Sequence, residues 1–167
     1  MKTIGFYIVS PVGKVIINGK WVCNEVILID GKYYGFDPLG FLYKDRSFYL
    51  IDDQGNYTDE YRAKADGSLY ENEWYDEEDG KVYYGEKGVK AENTVLLIDD
   101  HYYGFDYSGV LYVDKEFTIN ENSSYRAKED GSLYQNEWYQ YDDEAYDGTI
   151  VTYKSYYDSD CLQVKDT

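Results

Sequence analysis

The side chains best equipped for chemistry in this sequence are its rings and its carboxylates. Among 167 residues there are 23 Tyr, 6 Phe and 3 Trp, while 33 Asp or Glu against 16 Lys or Arg leave a net charge of −17. A ring left open to solvent can stack on a sugar face or attract a cation, the latter for ~0.5–2 kcal/mol per ring. The rings recur in a fixed order, as Tyr33, Tyr34 and Phe36, then Trp74, Tyr75, Tyr83 and Tyr84, then Tyr102, Tyr103 and Phe105, and last Trp138 and Tyr139. These twelve are the candidate ligand-contacting residues.

Other chemistry finds little support. His101 is the only histidine, and Lys32 takes its place in the matching segment upstream, so a solvated position fits it better than a general base. No nucleophile-elbow, zincin or Cys/His motif is present, and no catalytic activity is expected. Acidic runs at Asp76–Asp79 and Asp142–Glu144 lack calcium-loop spacing and read as solvated loops, so no metal or cofactor is expected. The charge excludes an ordinary nucleic-acid binder, since a polyanion would be repelled. No apolar run is long enough to insert in a membrane as a helix. Ile4–Val9, closed by Pro11, is too short for a signal core. Cys23 and Cys161 stand far apart and are expected to be free thiols.

What positions the rings is a repeat. Residues 28–48 match 97–117 with 13 identities in 21 positions, and 61–75 match 125–139 with 13 in 15. The offset falls from 69 to 64, so the second copy lacks five residues around Asp52–Tyr57. Within this lies a shorter period: Gly13, Gly40, Gly67, Gly88, Gly109 and Gly131 are spaced 27, 27, 21, 21 and 22 residues apart. That is one supersecondary unit, too small to bury its own face and obliged to stack on a neighbour.

Turn chemistry says what the unit is. Asn18–Gly19, Asp30–Gly31, Asp66–Gly67, Asp79–Gly80, Asp130–Gly131 and Asp147–Gly148 all supply the positive φ of tight hairpin turns, and the flanking residues are β-branched or aromatic. A turn at Asp30–Gly31 puts Val26, Leu28, Tyr33 and Gly35 on one face, with Ile27, Ile29, Tyr34 and Phe36 on the other. Both faces are apolar, so the hairpin must be packed on both sides. Gly35 and Gly104 should make room for a ring. A turn at Asp79–Gly80 would set Tyr75 opposite Tyr84 and Trp74 opposite Gly85. The expected fold is all-β, tandem β-hairpins stacked as a β-solenoid over residues 1–139. Residues 140–167 lose the trailing G-x-L-Y and are expected to form a divergent capping segment.

The units Ile29–Tyr43, Asn72–Gly88 and Ile98–Tyr112 resemble bacterial cell-wall-binding repeats, the superfamily of choline-binding repeats, glucan-binding repeats and glucosylating-toxin tails. The resemblance covers roughly residues 13–139. It implies a choline-binding-module-like hairpin solenoid on a secreted or surface-attached protein, with a cell-wall polymer or glycan as partner. Where choline-type units carry Trp, this chain has Tyr33, Val82 and Tyr102, which leaves Trp74 and Trp138 as the remaining candidates for a ligand wall. The alternative function is a structural spacer or protein-binding adhesin without a small ligand.

Overall fold

A computed structural model describes residues 7–9, 13–121 and 123–164. The chain divides into two compact units, Met1–Ala91 and Glu92–Thr167. Both are built of antiparallel hairpins, and the described residues include no α-helix. The first unit opens with β1 (Tyr7–Val9), β2 (Val15–Ile17) and β3 (Lys20–Trp21), paired in that order. Three hairpins follow: β4 (Glu25–Ile29) with β5 (Lys32–Phe36), β6 (Arg46–Ile51) with β7 (Tyr57–Ala63), and β8 (Glu73–Glu77) with β9 (Gly80–Tyr84). The second unit pairs β10 (Thr94–Ile98) with β11 (His101–Phe105), β12 (Glu116–Asn120) with β13 (Ser123–Arg126), and β14 (Glu137–Glu144) with β15 (Ile150–Tyr157).

Two of the expected turns form as written. Ile17 pairs with Lys20 across Asn18–Gly19, and Ile29 with Lys32 across Asp30–Gly31, all four turn residues having positive φ. The β8–β9 turn is displaced from its expected place. Its loop is Glu78–Asp79, so Trp74 faces Tyr83 and Tyr75 faces Val82. Gly80 is needed just after the loop, where its φ of 145° is open to glycine alone. Asp66–Gly67 and Asp130–Gly131 are not hairpin turns either.

Those glycines belong to a second, repeated device. After each of the six hairpins from β4 onward a turn reverses the chain, its first residue accepting from the amide three positions on. The pairs are Asp37 with Gly40, Lys64 with Gly67, Gly85 with Gly88, Asp106 with Gly109, Lys128 with Gly131, and Asp158 with Cys161. Every fourth position has positive φ, and at the last of them Cys161 adopts a φ of 61°. The final segment, which lacks the G-x-L-Y of the others, makes the same turn with a cysteine standing in the glycine's place.

The tail then joins hairpin to hairpin. Leu69 bridges Ala63 of its own hairpin, and its amide donates to the Tyr33 carbonyl of the preceding one. Lys90 repeats this with Tyr84 and Glu60, Leu133 with Ala127 and Tyr102, and Gln163 with Tyr157 and Ser124. Hairpins within a unit are thus tied in series by backbone bonds, which meets the need of a two-stranded ribbon for support.

Side chains fill the seams. Phe48, Tyr61, Ala63 and Leu69 form one buried cluster against Val26 and Tyr33. Val15, Val22 and Phe36 form another against Ile27, Ile29 and Tyr34. The β4–β5 hairpin is therefore packed on both faces with the residue division read from its turn. In the second unit Phe117, Ala127, Leu133 and Cys161 repeat the first cluster, against Val95 and Tyr102. A Cβ on Gly35 would stand 2.1 Å from Cζ of Phe48, and on Gly104 2.1 Å from Cζ of Phe117, so both glycines house a ring of the following hairpin.

Candidate functional site

Most rings in the repeat belong to the seams. Of the twelve candidates, Phe36, Tyr84 and Phe105 are fully buried and Tyr83 nearly so, which makes them core rather than ligand wall. Tyr34 packs against the Val15 cluster and Tyr102 against the Phe117 cluster, while Tyr103 is half-buried. Tyr75 is covered by Arg62, whose guanidinium lies 4.0 Å from the ring centroid and whose Nη2 donates to its hydroxyl at 2.6 Å. Trp74 is half-buried, edge-on to Tyr83 at 5.0 Å, with Lys81 Nζ over it at 5.1 Å. Trp138 is 64% exposed beside Tyr156. The two matching tryptophans therefore differ in their access to solvent.

Grooves stay open beside the hairpins of both units. In the first unit a groove of about 620 Å³ is lined by Ile17, Trp21, Ile27 and Tyr33, with Glu25 and Lys87 among its polar residues. Trp21 is 52% exposed there. In the second unit a slot of about 430 Å³ is lined by Glu116, Arg126, Tyr139, Tyr141, Tyr153 and Tyr157. Alternation puts Tyr139 and Tyr141 on one face of β14, and register places Tyr153 opposite Tyr141. The rings of Tyr141 and Tyr153 stack at 5.1 Å, each 47% exposed. Tyr157 forms the floor, its hydroxyl pushed up to about 12 by burial, with the Glu116 charge adding to it and that of Arg126 opposing.

Trp21, Tyr141 and Tyr153 escaped the reading of the sequence. The first lies ahead of the clear repeat and the others past its end. A usable signal was there: Tyr139 and Tyr141 alternate along a strand, as Tyr153 does across from them.

The chain's own cations already occupy many ring faces. Lys14 sits over Trp21 and Phe41, Lys64 over Tyr70, Lys115 over Tyr112, Lys128 over Tyr134, and Arg126 over Tyr139 at 3.6 Å. Among the described residues no three His, Cys, Asp or Glu side chains gather as a metal site would require.

No family model and no curated protein matches this sequence. Solved structures do. The modular autolysin LytC from Streptococcus pneumoniae aligns over 95% of this chain with a TM-score of 0.57 and 17% identity. Choline binding protein F, also from Streptococcus pneumoniae, aligns over 90% with a TM-score of 0.54 and 18% identity. This is the fold of choline-binding proteins. Truncated alternansucrase from Leuconostoc mesenteroides matches 65% of the chain with a TM-score of 0.52 and 20% identity. The chain spans 32%, 55% and 10% of these three proteins respectively, less than two thirds of each. On the choline-binding-protein fold, then, most rings are seam while grooves in both units stay open.

Proposed function

We propose that this chain is a non-catalytic attachment module that holds its parent protein to a cell-wall polymer or glycan outside the cell. The observation that carries this reading is the contrast between rings. Phe36, Tyr84 and Phe105 are sealed in seams, whereas Trp21, Tyr141 and Tyr153 are left open beside grooves that have polar groups at hand. A spacer has no use for half-exposed rings around a cavity. Shallow sites of this kind bind weakly one at a time, and two on one chain raise the avidity for a polymer by about 10²–10⁴ where both can engage.

Co-sedimentation of the purified chain with Gram-positive cell walls, and its retardation by soluble dextran in native gels, test the reading. Retention on at least one polymer is expected, and it should fall in the Trp21→Ala variant. Failure to bind either polymer leaves the chain a spacer.

A further inference from the structure

We propose that the slot of the second unit is a saccharide site that takes a neutral sugar residue with adjacent hydroxyls, and that Lys90 with Glu60 and Glu77 plugs the corresponding place in the first unit. This rests on the attachment reading above and goes further, by assigning the ligand's charge and the residues that open or close a site.

The ligand chemistry follows from the lining. Among the described residues Arg126 Nε is the one buried side-chain nitrogen or oxygen with no hydrogen-bond partner. Glu116 uses one carboxylate oxygen, Oε1, to accept from Ser124 Oγ at 2.6 Å. The guanidinium-bearing Arg126, a carboxylate with a second oxygen, and an aromatic wall line one cavity. A hydroxyl is both acceptor and donor, and adjacent hydroxyls on a pyranose meet such a pair while the ring's apolar face lies on tyrosine. A cation is poorly received. The Arg126 guanidinium already covers Tyr139, and Lys154 lines the same slot. An anion fares no better, because Asp114 pairs with Arg126 at 3.4 Å, Glu116 faces the cavity, and the whole chain carries −17.

The internal repeat shows how the site is switched off. By the 64-residue offset, Ser124 and Tyr141 stand where the first unit has Glu60 and Glu77. Gln163 occupies the tail position of Lys90, each bridging the last residue of its own hairpin and donating to the preceding one. In the first unit Lys90 Nζ lies 3.3 Å from Glu60 Oε2 and 3.2 Å from Glu77 Oε2, its side chain 5% exposed. Tyr49 OH also donates to Glu60 Oε2, at 2.9 Å. The ion cluster thus fills the place that Tyr141, Ser124 and Gln163 leave open, since Gln163 turns its amide to Ser155 Oγ at 2.9 Å.

Calorimetric titration in the Trp21→Ala background, which disables the first groove, tests both halves. The probes are isomaltotriose, triacetylchitotriose, glucuronate and choline chloride. At least one neutral trisaccharide is expected to bind, and the Tyr141→Ala/Tyr153→Ala pair, both exposed, should weaken it tenfold or more. Unchanged affinity in that variant, or choline or glucuronate binding as tightly, overturns the slot. The triple change Glu60→Ser, Glu77→Tyr and Lys90→Gln should add one site, and a count that stays the same in a folded variant overturns the plug. Lys90→Gln alone, read by the same count, serves if the triple variant does not fold. Polymer retention that persists while the slot changes have no effect sinks this inference alone, whereas loss of all retention by the unaltered chain sinks the attachment reading.

Discussion

At the scale of single residues, two copies of one steric arrangement carry much of the packing. Gly35 and Gly104 each lie under a phenylalanine ring where a Cβ would be 2.1 Å from the nearest ring atom. The ring is buried and stacked, Phe48 on Tyr43 at 3.9 Å and Phe117 on Tyr112 at 3.9 Å, so it cannot simply swing away. Gly35→Ala and Gly104→Ala are each expected to cost about 1–3 kcal/mol of stability by urea unfolding. The cost should shrink when Phe48→Ala or Phe117→Ala is added, and a double-mutant cycle without coupling would refute the contact. The cysteines make a second case. Cys23 is exposed, while Cys161 is fully buried, its thiol pushed up to about 11 chiefly by burial. Only a thiolate reacts, so Ellman's reagent should find one thiol per folded chain and two in denaturant.

At the scale of elements, the tail segment matters as much as the hairpin. Leu69 and Leu133 are buried at matching positions, and each is bonded to its own hairpin and to the one before. Replacing either with Ala is expected to cost about 2–5 kcal/mol through lost burial and the cavity left behind. Equal losses at the two sites would show that the units share one plan, and a loss under 1 kcal/mol at either would show that the tail is not a tie. The hairpins were legible in the sequence because Asn18–Gly19 and Asp30–Gly31 can hardly be anything but tight turns. The room beneath Gly35 was legible too, from a small residue among large ones on a two-faced ribbon. The tail was not, because Asp66–Gly67 looks like a hairpin turn until Lys64 is seen to accept from Gly67. A second period also went unread. Asn24, Asp45, Asn72, Asn93, Asp114 and Asn136 all take positive φ just ahead of a hairpin, and each amide donates to the first residue of the turn that follows that hairpin. Asn and Asp tolerate this conformation better than other non-glycine residues. The open slot was hidden for a different reason: it depends on which of two equivalent positions holds an ion cluster and which holds tyrosine, a difference that matters only once the strands are paired.

At the scale of the whole molecule, titration should limit stability on both sides of neutrality. Asp52, Asp66, Asp130 and Asp147 are held below the ordinary 3.8 of a free carboxyl. Hydrogen bonds cause it in each case, first from Asn56, Ser68, Ser132 and Thr149 respectively. A group whose pKa is depressed by folding adds stability above its unfolded value and loses it as pH falls through the folded one. These turns are exposed, so each increment is small and the acid limb should be shallow below about pH 4. The alkaline limb is different in kind. Burial raises Cys161 from 9.0 to about 11, Tyr157 from 10.0 to about 12, and Tyr84 further still. The folded state keeps these protons longer than the unfolded chain, so their stabilisation is complete below the unfolded values and drains away as pH rises from about 9 to 12. Added negative charge on a chain already at −17 works in the same direction, but salt screens that part and leaves the burial part. Urea midpoints measured from pH 7 to 11.5 are therefore expected to fall steeply above 9 even in 1 M NaCl, and Tyr157→Phe, which has no proton to lose, should flatten the decline. A midpoint independent of pH at high salt would mean that these hydroxyls and the thiol reach water in the folded chain.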